Sequence, residues 1–293
     1  MFSYIVYGLV WLVSFLPFRV LYLFSDIMYY VLYYVVGYRR RVVEENLIHS
    51  FPEKSCQERK EIEKKFYRHL SDFFVEFFKP WHMSGKEIRK RCVFKHAEVL
   101  QRYYDQGRPV IGVMGHYGNW EWMTSYALLL NSDVSFYTLY KPLHNKVLDK
   151  MMLRIRSRFG AVPIPRNDVL RMIVKDLQSK RIFLAAFIGD QTPNVYNLNF
   201  WTTFLNQDTP VLLGTEKIAT KFNIPVISLK TRKLRRGYYE VDFVSLCENP
   251  KDLRPGELTE LHTRYLERQI QEQPEYWLWS HRRWKHQRTE KKE

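Results

Sequence analysis

From residue 109 onward the chain alternates short apolar runs with amphipathic stretches, and this alternation constrains its fold more than any other feature. The apolar runs predict strands over residues 109–114, 134–140, 181–188 and 224–230, and the polar/apolar alternation of residues 238–244 predicts a half-exposed strand. The stretches between and after them predict helices over residues 120–130, 147–159, 167–180, 215–222 and 257–271. Strands that alternate with helices predict an α/β fold, here a central mixed sheet covered by helices.

A further helix is predicted upstream of this region. The segment 55–58 has the Ser-x-x-Glu pattern of a capping box, which marks a helix start. After it, apolar residues recur every three or four positions and form one stripe, which consists of Ile62, Phe66, Leu70, Phe73 and Phe77.

Residues 1–38 form a strongly apolar segment with only two charged side chains. Pro17 interrupts it, so neither half is an unbroken apolar stretch of about 20 residues. A basic start and a small-residue cleavage site are both missing, which argues against a signal peptide. The arginines at 39–41 favour a cytoplasmic end. We expect residues 1–38 to be an uncleaved helical membrane anchor, either spanning once or lying in the inner leaflet, in front of one α/β domain over 39–293. A buried N-terminal hairpin is the alternative.

The charge of the chain indicates an anionic partner. There are 46 Lys and Arg against 31 Asp and Glu, a formal net charge of +15. No zinc-finger spacing, RNP-like aromatic stretch or basic-region heptad accompanies this charge, so we favour a lipid surface and an acidic protein over nucleic acid.

Three scattered cysteines indicate a reducing compartment. The spacings predict no metal site, and without a Gly-rich phosphate loop we expect no cofactor.

The segment 115–121, GHYGNWE, is the strongest candidate for chemistry. It follows a predicted strand, so His116 falls at a strand's carboxyl end, where α/β sheets place their ligands. A neutral histidine can take the proton of an attacking hydroxyl, and a carboxylate on its far nitrogen fixes the tautomer. Because His116 lies in the turn, Glu121 can fold back toward it. The structural alternative is an exposed histidine followed by an acidic residue at a helix start.

Several segments together resemble one family, the lipid A biosynthesis late acyltransferases within the lysophospholipid acyltransferase superfamily. The matching stretches run from Arg41 to Lys285 and lie at 41–52, 115–121, 140–142, 156–160, 189–191, 204–214 and 274–285. The most specific is 274–285, PEYWLWSHRRWK, because a twelve-residue string rarely arises by chance. One departure is Lys141, where the family more often has Arg. Lysine keeps the positive charge but cannot form the paired hydrogen bonds that a guanidinium makes to one anionic group.

The resemblance implies a role for several polar residues. His116 becomes the general base and Glu121 its orienting partner. Arg156 is expected near the thioester oxyanion or an acceptor phosphate. Asp190 could position a substrate or a cation beside His116, and Asn119 could donate a hydrogen bond in the site. The structural alternatives are a solvated helix arginine for Arg156, a strand-end turn residue for Asp190 and a helix cap for Asn119.

The basic residues Lys141, His281, Arg282 and Arg283 are the remaining substrate-binding candidates. The last three could bind phosphate or an acidic carrier, and a surface basic cluster is the structural alternative. The resemblance implies acyl carrier protein as donor and a lipid A precursor as acceptor, at the cytoplasmic face of the bacterial inner membrane. No acyl-enzyme is required. The alternatives are another lysolipid or amino lipid acceptor, a hydrolase, and a non-catalytic protein that binds anionic membranes.

Overall fold

The computed structural model describes residues 2–288, and it contains alternating helices and strands. The α-helices are, in chain order, α1 (Phe2–Phe15), α2 (Phe18–Tyr30), α3 (Arg40–Ser50), α4 (Cys56–Phe78), α5 (Gly85–Arg91), α6 (Glu98–Asp105), α7 (Lys146–Arg156), α8 (Val169–Gln178), α9 (Gly214–Phe222) and α10 (Glu257–Glu272). The strands are β1 (Cys92–Lys95), β2 (Val110–Met114), β3 (Val134–Tyr140), β4 (Val162–Pro165), β5 (Ile182–Ile188), β6 (Trp201–Phe204), β7 (Gln207–Pro210), β8 (Val226–Arg235) and β9 (Tyr238–Cys247).

Seven strands form one mixed sheet in the order β1-β9-β8-β2-β5-β3-β4, and β6 and β7 form a separate hairpin. Strands β8 and β9 are antiparallel, whereas all other neighbours in the large sheet are parallel. The expected α/β fold with a mixed sheet covered by helices is therefore confirmed. The central strand β5 is apolar throughout, as expected of a strand covered on both faces.

The parallel strands bring four strand ends to one edge of the sheet. Met114 at the end of β2 pairs with Ile188 at the end of β5, and Tyr140 of β3 pairs with Pro165 of β4. Since these strands run in one direction, the residues that follow them lie side by side at the carboxyl edge.

Helix α4 has the expected capping box and apolar stripe. The Ser55 side chain accepts from the backbone N–H of Glu58, whose carboxylate accepts from the backbone N–H of Ser55. All five stripe residues are buried, which confirms that prediction. The region 120–129, in contrast, is a 3₁₀ helix, and Asp168 rather than Asn167 stands at the start of α8.

The N-terminal segment packs one face on the body of the protein and exposes the other. Helix α2 buries Leu21, Ser25 and Tyr29, and a π-helical segment (Val31–Val35) extends it. The remaining face is rich in exposed apolar side chains, which include Ile5, Leu9, Leu12, Leu23, Phe24, Ile27 and Val35. Among residues 2–288, no single helix has the length and apolar character to cross a bilayer, although Phe18–Val35 and Arg40–Ser50 meet these criteria as a pair bent by 84°. The anchor over residues 1–38 stays a prediction.

Candidate active site

His116 and Asp190 form a close pair at the carboxyl edge of the sheet. Nδ1 of His116 lies 2.6 Å from Oδ1 of Asp190, and the backbone N–H of His116 donates to Oδ2 over 2.8 Å. The indole N–H of Trp277 donates to the same Oδ2 over 2.8 Å. Two ring donors and one backbone donor therefore fix the buried carboxylate.

Gly115 allows this close approach. A Cβ atom at this position would lie 2.7 Å from the Leu266 side chain and 3.1 Å from Oδ2 of Asp190. A larger residue would therefore require the Leu266 side chain to shift and would crowd Oδ2, the atom that accepts from the backbone N–H of His116.

The environment of Asp190 keeps its carboxylate ionised. Burial on its own raises the pKa, but attraction to His116 and the hydrogen bonds from His116 and Trp277 outweigh it and lower the pKa to about 2. An ionised carboxylate only accepts hydrogen bonds, so Nδ1 of His116 is the donor. The other ring nitrogen, Nε2, points away from the carboxylate and lies 3.3 Å from the side-chain nitrogen of Gln191.

Glu121 has a different partner from the one expected. Its carboxylate binds the Arg156 guanidinium bidentately, with Nε to Oε2 at 2.9 Å and Nη2 to Oε1 at 2.6 Å. The expected contact between Glu121 and His116 is therefore wrong. The physical reason is that Asp190 reaches Nδ1 from the neighbouring strand, while the first turn of the 3₁₀ helix directs Glu121 toward α7.

A cleft with about 1590 Å³ of empty space opens at this edge, and His116, Glu121 and Arg156 line it. Lys141 follows β3 and Arg166 follows β4, and both also line the cleft. Arg166 was missed in the sequence because β4 itself was missed. The arrangement combines an imidazole nitrogen that is not bonded to the carboxylate with a cationic rim, and an imidazole nitrogen of this kind is a suitable proton acceptor beside an anionic ligand.

Comparison with known families places this site in context. A sequence model of the family described as bacterial lipid A biosynthesis acyltransferase matches residues 1–286. The chain belongs to this family. It is thus an acyltransferase of lipid A biosynthesis.

Individual relatives have low sequence identity to the chain, but they align with most of its length. The chain is 25% identical over 249 residues to the lipid A biosynthesis palmitoleoyltransferase of Escherichia coli (strain K12), covering 84% of this chain and 79% of that protein. The same figures hold for a lipid A biosynthesis acyltransferase of Shigella flexneri. The E. coli (strain K12) lipid A biosynthesis lauroyltransferase is 23% identical over 281 residues, covering 95% of this chain and 89% of that protein.

In this acyltransferase Asn119 faces away from the cleft. Its side-chain N–H₂ donates to Oε2 of the buried Glu76 over 2.9 Å, and its oxygen accepts from the backbone N–H of Trp122. The structural alternative of a helix cap therefore describes the contacts of Asn119.

The C-terminal segment 274–285 packs against the turn that contains His116. The backbone N–H of Leu278 donates to the carbonyl of His116, and that of Gly118 donates to the carbonyl of Tyr276. The side chain of Asn46 on α3 fixes the segment by donating hydrogen bonds to the carbonyls of Trp279 and His281. Two family-matching stretches, 41–52 and 274–285, thus meet and support the His116–Asp190 pair.

The three basic residues of this segment do not form the expected anion-binding cluster. Nε2 of His281 accepts from the backbone N–H of Thr192, and burial lowers the His281 pKa to about 4, so the ring is neutral at pH 7. Arg283 is buried and donates to the carbonyl of Pro210. Arg282 is exposed. Because Arg283 is buried and His281 is half-buried and neutral, the three side chains do not present one basic surface.

Proposed function

We propose that this acyltransferase moves a fatty acyl group from acyl carrier protein to a hydroxyl of a lipid A precursor. The observation that carries the proposal is the His116–Asp190 pair, in which the Nε2 side of the His116 ring lies at the wall of a large cleft. The acceptor hydroxyl of a 3-hydroxyacyl chain replaces the Gln191 amide as the partner of Nε2.

The reaction follows from this placement. Nε2 of His116 takes the hydroxyl proton while the oxygen attacks the thioester carbonyl, and Asp190 stabilises the imidazolium that forms. The tetrahedral intermediate collapses with cleavage of the C–S bond, and the imidazolium proton passes to the departing thiolate. Among residues 2–288, the side-chain hydrogen-bond partners of His116 are Asp190 and Gln191 rather than a serine or cysteine, which supports direct transfer without an acyl-enzyme.

The cations of the cleft stabilise two different negative charges, the oxyanion of the reaction and the phosphates of the acceptor. The bidentate pair with Glu121 engages Nε and Nη2 of Arg156 and leaves Nη1 for the developing oxyanion. Lys141 and Arg166 lie at the rim of the cleft, where they bind acceptor phosphates. Glu121 thereby acts as the residue that positions Arg156.

Membrane location is part of the proposal. The exposed apolar face of α1 and α2 lies in the cytoplasmic leaflet of the inner membrane, with the polar body outside it. The lipid acceptor enters the cleft from this leaflet, and the acidic carrier protein approaches the basic protein from the cytoplasm.

Mass spectrometry of the products tests donor and acceptor together. Purified full-length protein is incubated with acyl carrier protein or coenzyme A as thioester donor, and with a lipid A precursor, a lysophospholipid or no acceptor. We expect a new acyl mass on the lipid A precursor with the carrier-protein donor. Transfer to the lysophospholipid alone would keep the chemistry and overturn the acceptor. Fatty acid release without acceptor, at the same rate as with it, would indicate a hydrolase.

A further inference from the structure

A second pocket lies between α1 and α7, outside the cleft. It has about 830 Å³ of empty space, and its lining includes Tyr4 and Tyr7 from α1. The α7 side contributes Val147 and three cationic side chains, which are Lys146, Lys150 and Arg154.

The three cations lie on one face of α7, because residues four apart are neighbours on a helix. Met152 and Arg156 line the catalytic cleft from another face of the same helix. The α1/α7 pocket is therefore separated from the active site by α7 itself.

The positive charge of this pocket is not neutralised within the protein. Among the residues that the structure describes, no carboxylate forms an ion pair with Lys146, Lys150 or Arg154. All three side chains are exposed. Their charges are thus available to an external anion.

The walls of the pocket are held in place. The Asn145 side chain donates to the Ser3 hydroxyl over 2.6 Å, which ties the start of α7 to α1. The Tyr7 ring packs edge-on against Trp81 at 5.0 Å, and the Arg154 guanidinium lies 5.8 Å from the Trp81 ring.

The position of the pocket identifies its ligand. Tyr4 is exposed, and the exposed apolar residues Ile5, Leu9 and Leu12 follow it on the same helix, α1. Tyrosines are typical of the headgroup level of a bilayer, and cations beside an apolar helix face attract anionic lipids. We propose that the α1/α7 pocket binds the headgroup phosphate of an anionic membrane phospholipid. This inference rests on the proposed membrane location and adds a specific lipid site to it.

Vesicle sedimentation of the full-length chain tests the site. One vesicle population is phosphatidylcholine, and the other contains about a third phosphatidylglycerol. The test variant replaces the three cations by glutamine and is Lys146→Gln/Lys150→Gln/Arg154→Gln. The control removes the same charge from three exposed cations on α9 and on the turn after β9, and is Lys217→Gln/Lys221→Gln/Lys251→Gln.

We expect the test variant to bind anionic vesicles on the order of 10- to 100-fold more weakly than wild type, and the control to lose less than about threefold. Binding to phosphatidylcholine should be the same for all three proteins. The double variant Lys146→Gln/Lys150→Gln, which keeps the contact of Arg154 with Trp81, should give an intermediate loss.

Three other results would contradict either the lipid site or the proposed membrane location. Equal losses in the test and control variants would show a diffuse charge effect and overturn the site. Unchanged vesicle binding with a raised KM for acyl carrier protein would assign the pocket to the carrier and also overturn it. A wild-type protein that binds neither vesicle would instead contradict the membrane location in the proposed function.

Discussion

Nδ1 of His116 lies 2.6 Å from Oδ1 of Asp190, although the two residues are 74 positions apart in the chain. They meet because each stands two residues beyond the paired strand ends Met114 and Ile188. The nearer carboxylate in sequence, Glu121, instead holds Arg156. The site therefore contains two carboxylates with different partners, one paired with the His116 imidazole and one with the Arg156 guanidinium.

The first prediction separates these two carboxylates. Asp190→Asn should lower kcat by about 100- to 10,000-fold, because a neutral amide cannot stabilise the imidazolium. A downfield Nδ1 proton signal of His116 in the NMR spectrum should vanish in Asp190→Asn and persist in Glu121→Gln. Loss of the signal in Glu121→Gln alone would restore Glu121 as the orienting residue.

The second prediction concerns the pair of Glu121 and Arg156. Arg156→Ala should destabilise the protein by about 3 kcal/mol, because it leaves a buried carboxylate without its cation. Glu121→Gln/Arg156→Ala should recover part of the stability in urea unfolding but none of the activity. A double-mutant cycle with a coupling energy near zero would contradict the pair.

The third prediction follows from the pKa of Asp190, which is about 2 in the folded protein. A depressed folded-state pKa contributes stability that is present above the unfolded value, about 4, and is lost as pH falls toward 2. The free energy of unfolding should therefore fall with acid more steeply in wild type than in Asp190→Asn, by about 2 kcal/mol in total. Urea titrations at several pH values between 5 and 2 measure this difference, and parallel curves would contradict it.

The fourth prediction concerns the indole donor to Asp190. Trp277→Phe leaves the buried carboxylate without one hydrogen bond, which should cost about 1–3 kcal/mol of stability and also lower kcat. Trp284→Phe is a matched control, because its indole N–H donates to the Thr209 hydroxyl instead. Equal effects of the two substitutions on kcat would indicate a purely structural role for Trp277.

Local sequence patterns predicted the parts of the fold that local patterns can encode. The strands β2 and β3 are short apolar runs between turn residues, and both were found to within a residue. Strand β4 was missed because it has four residues and two prolines, which ordinarily exclude a strand. It is tolerated because β4 is the last strand at one edge of the sheet.

The site required information that no local pattern contains. His116 was identified from its turn, but its partner depends on β2 and β5 being neighbours in the sheet. The contact of Trp277 with Asp190 depends likewise on how the C-terminal segment wraps around the turn. Glu121 is nearer in sequence, and proximity along the chain favoured the wrong carboxylate.

The most direct test of the account is acyl transfer by His116→Ala, compared with wild type. Acyl carrier protein loaded with a fatty acid and a lipid A precursor are the substrates, mass spectrometry reads the product, and thermal unfolding checks that both proteins are folded. The account predicts a new acyl mass with wild type and a loss of about 100- to 10,000-fold in the variant. Product formed at the same rate by both proteins would contradict it.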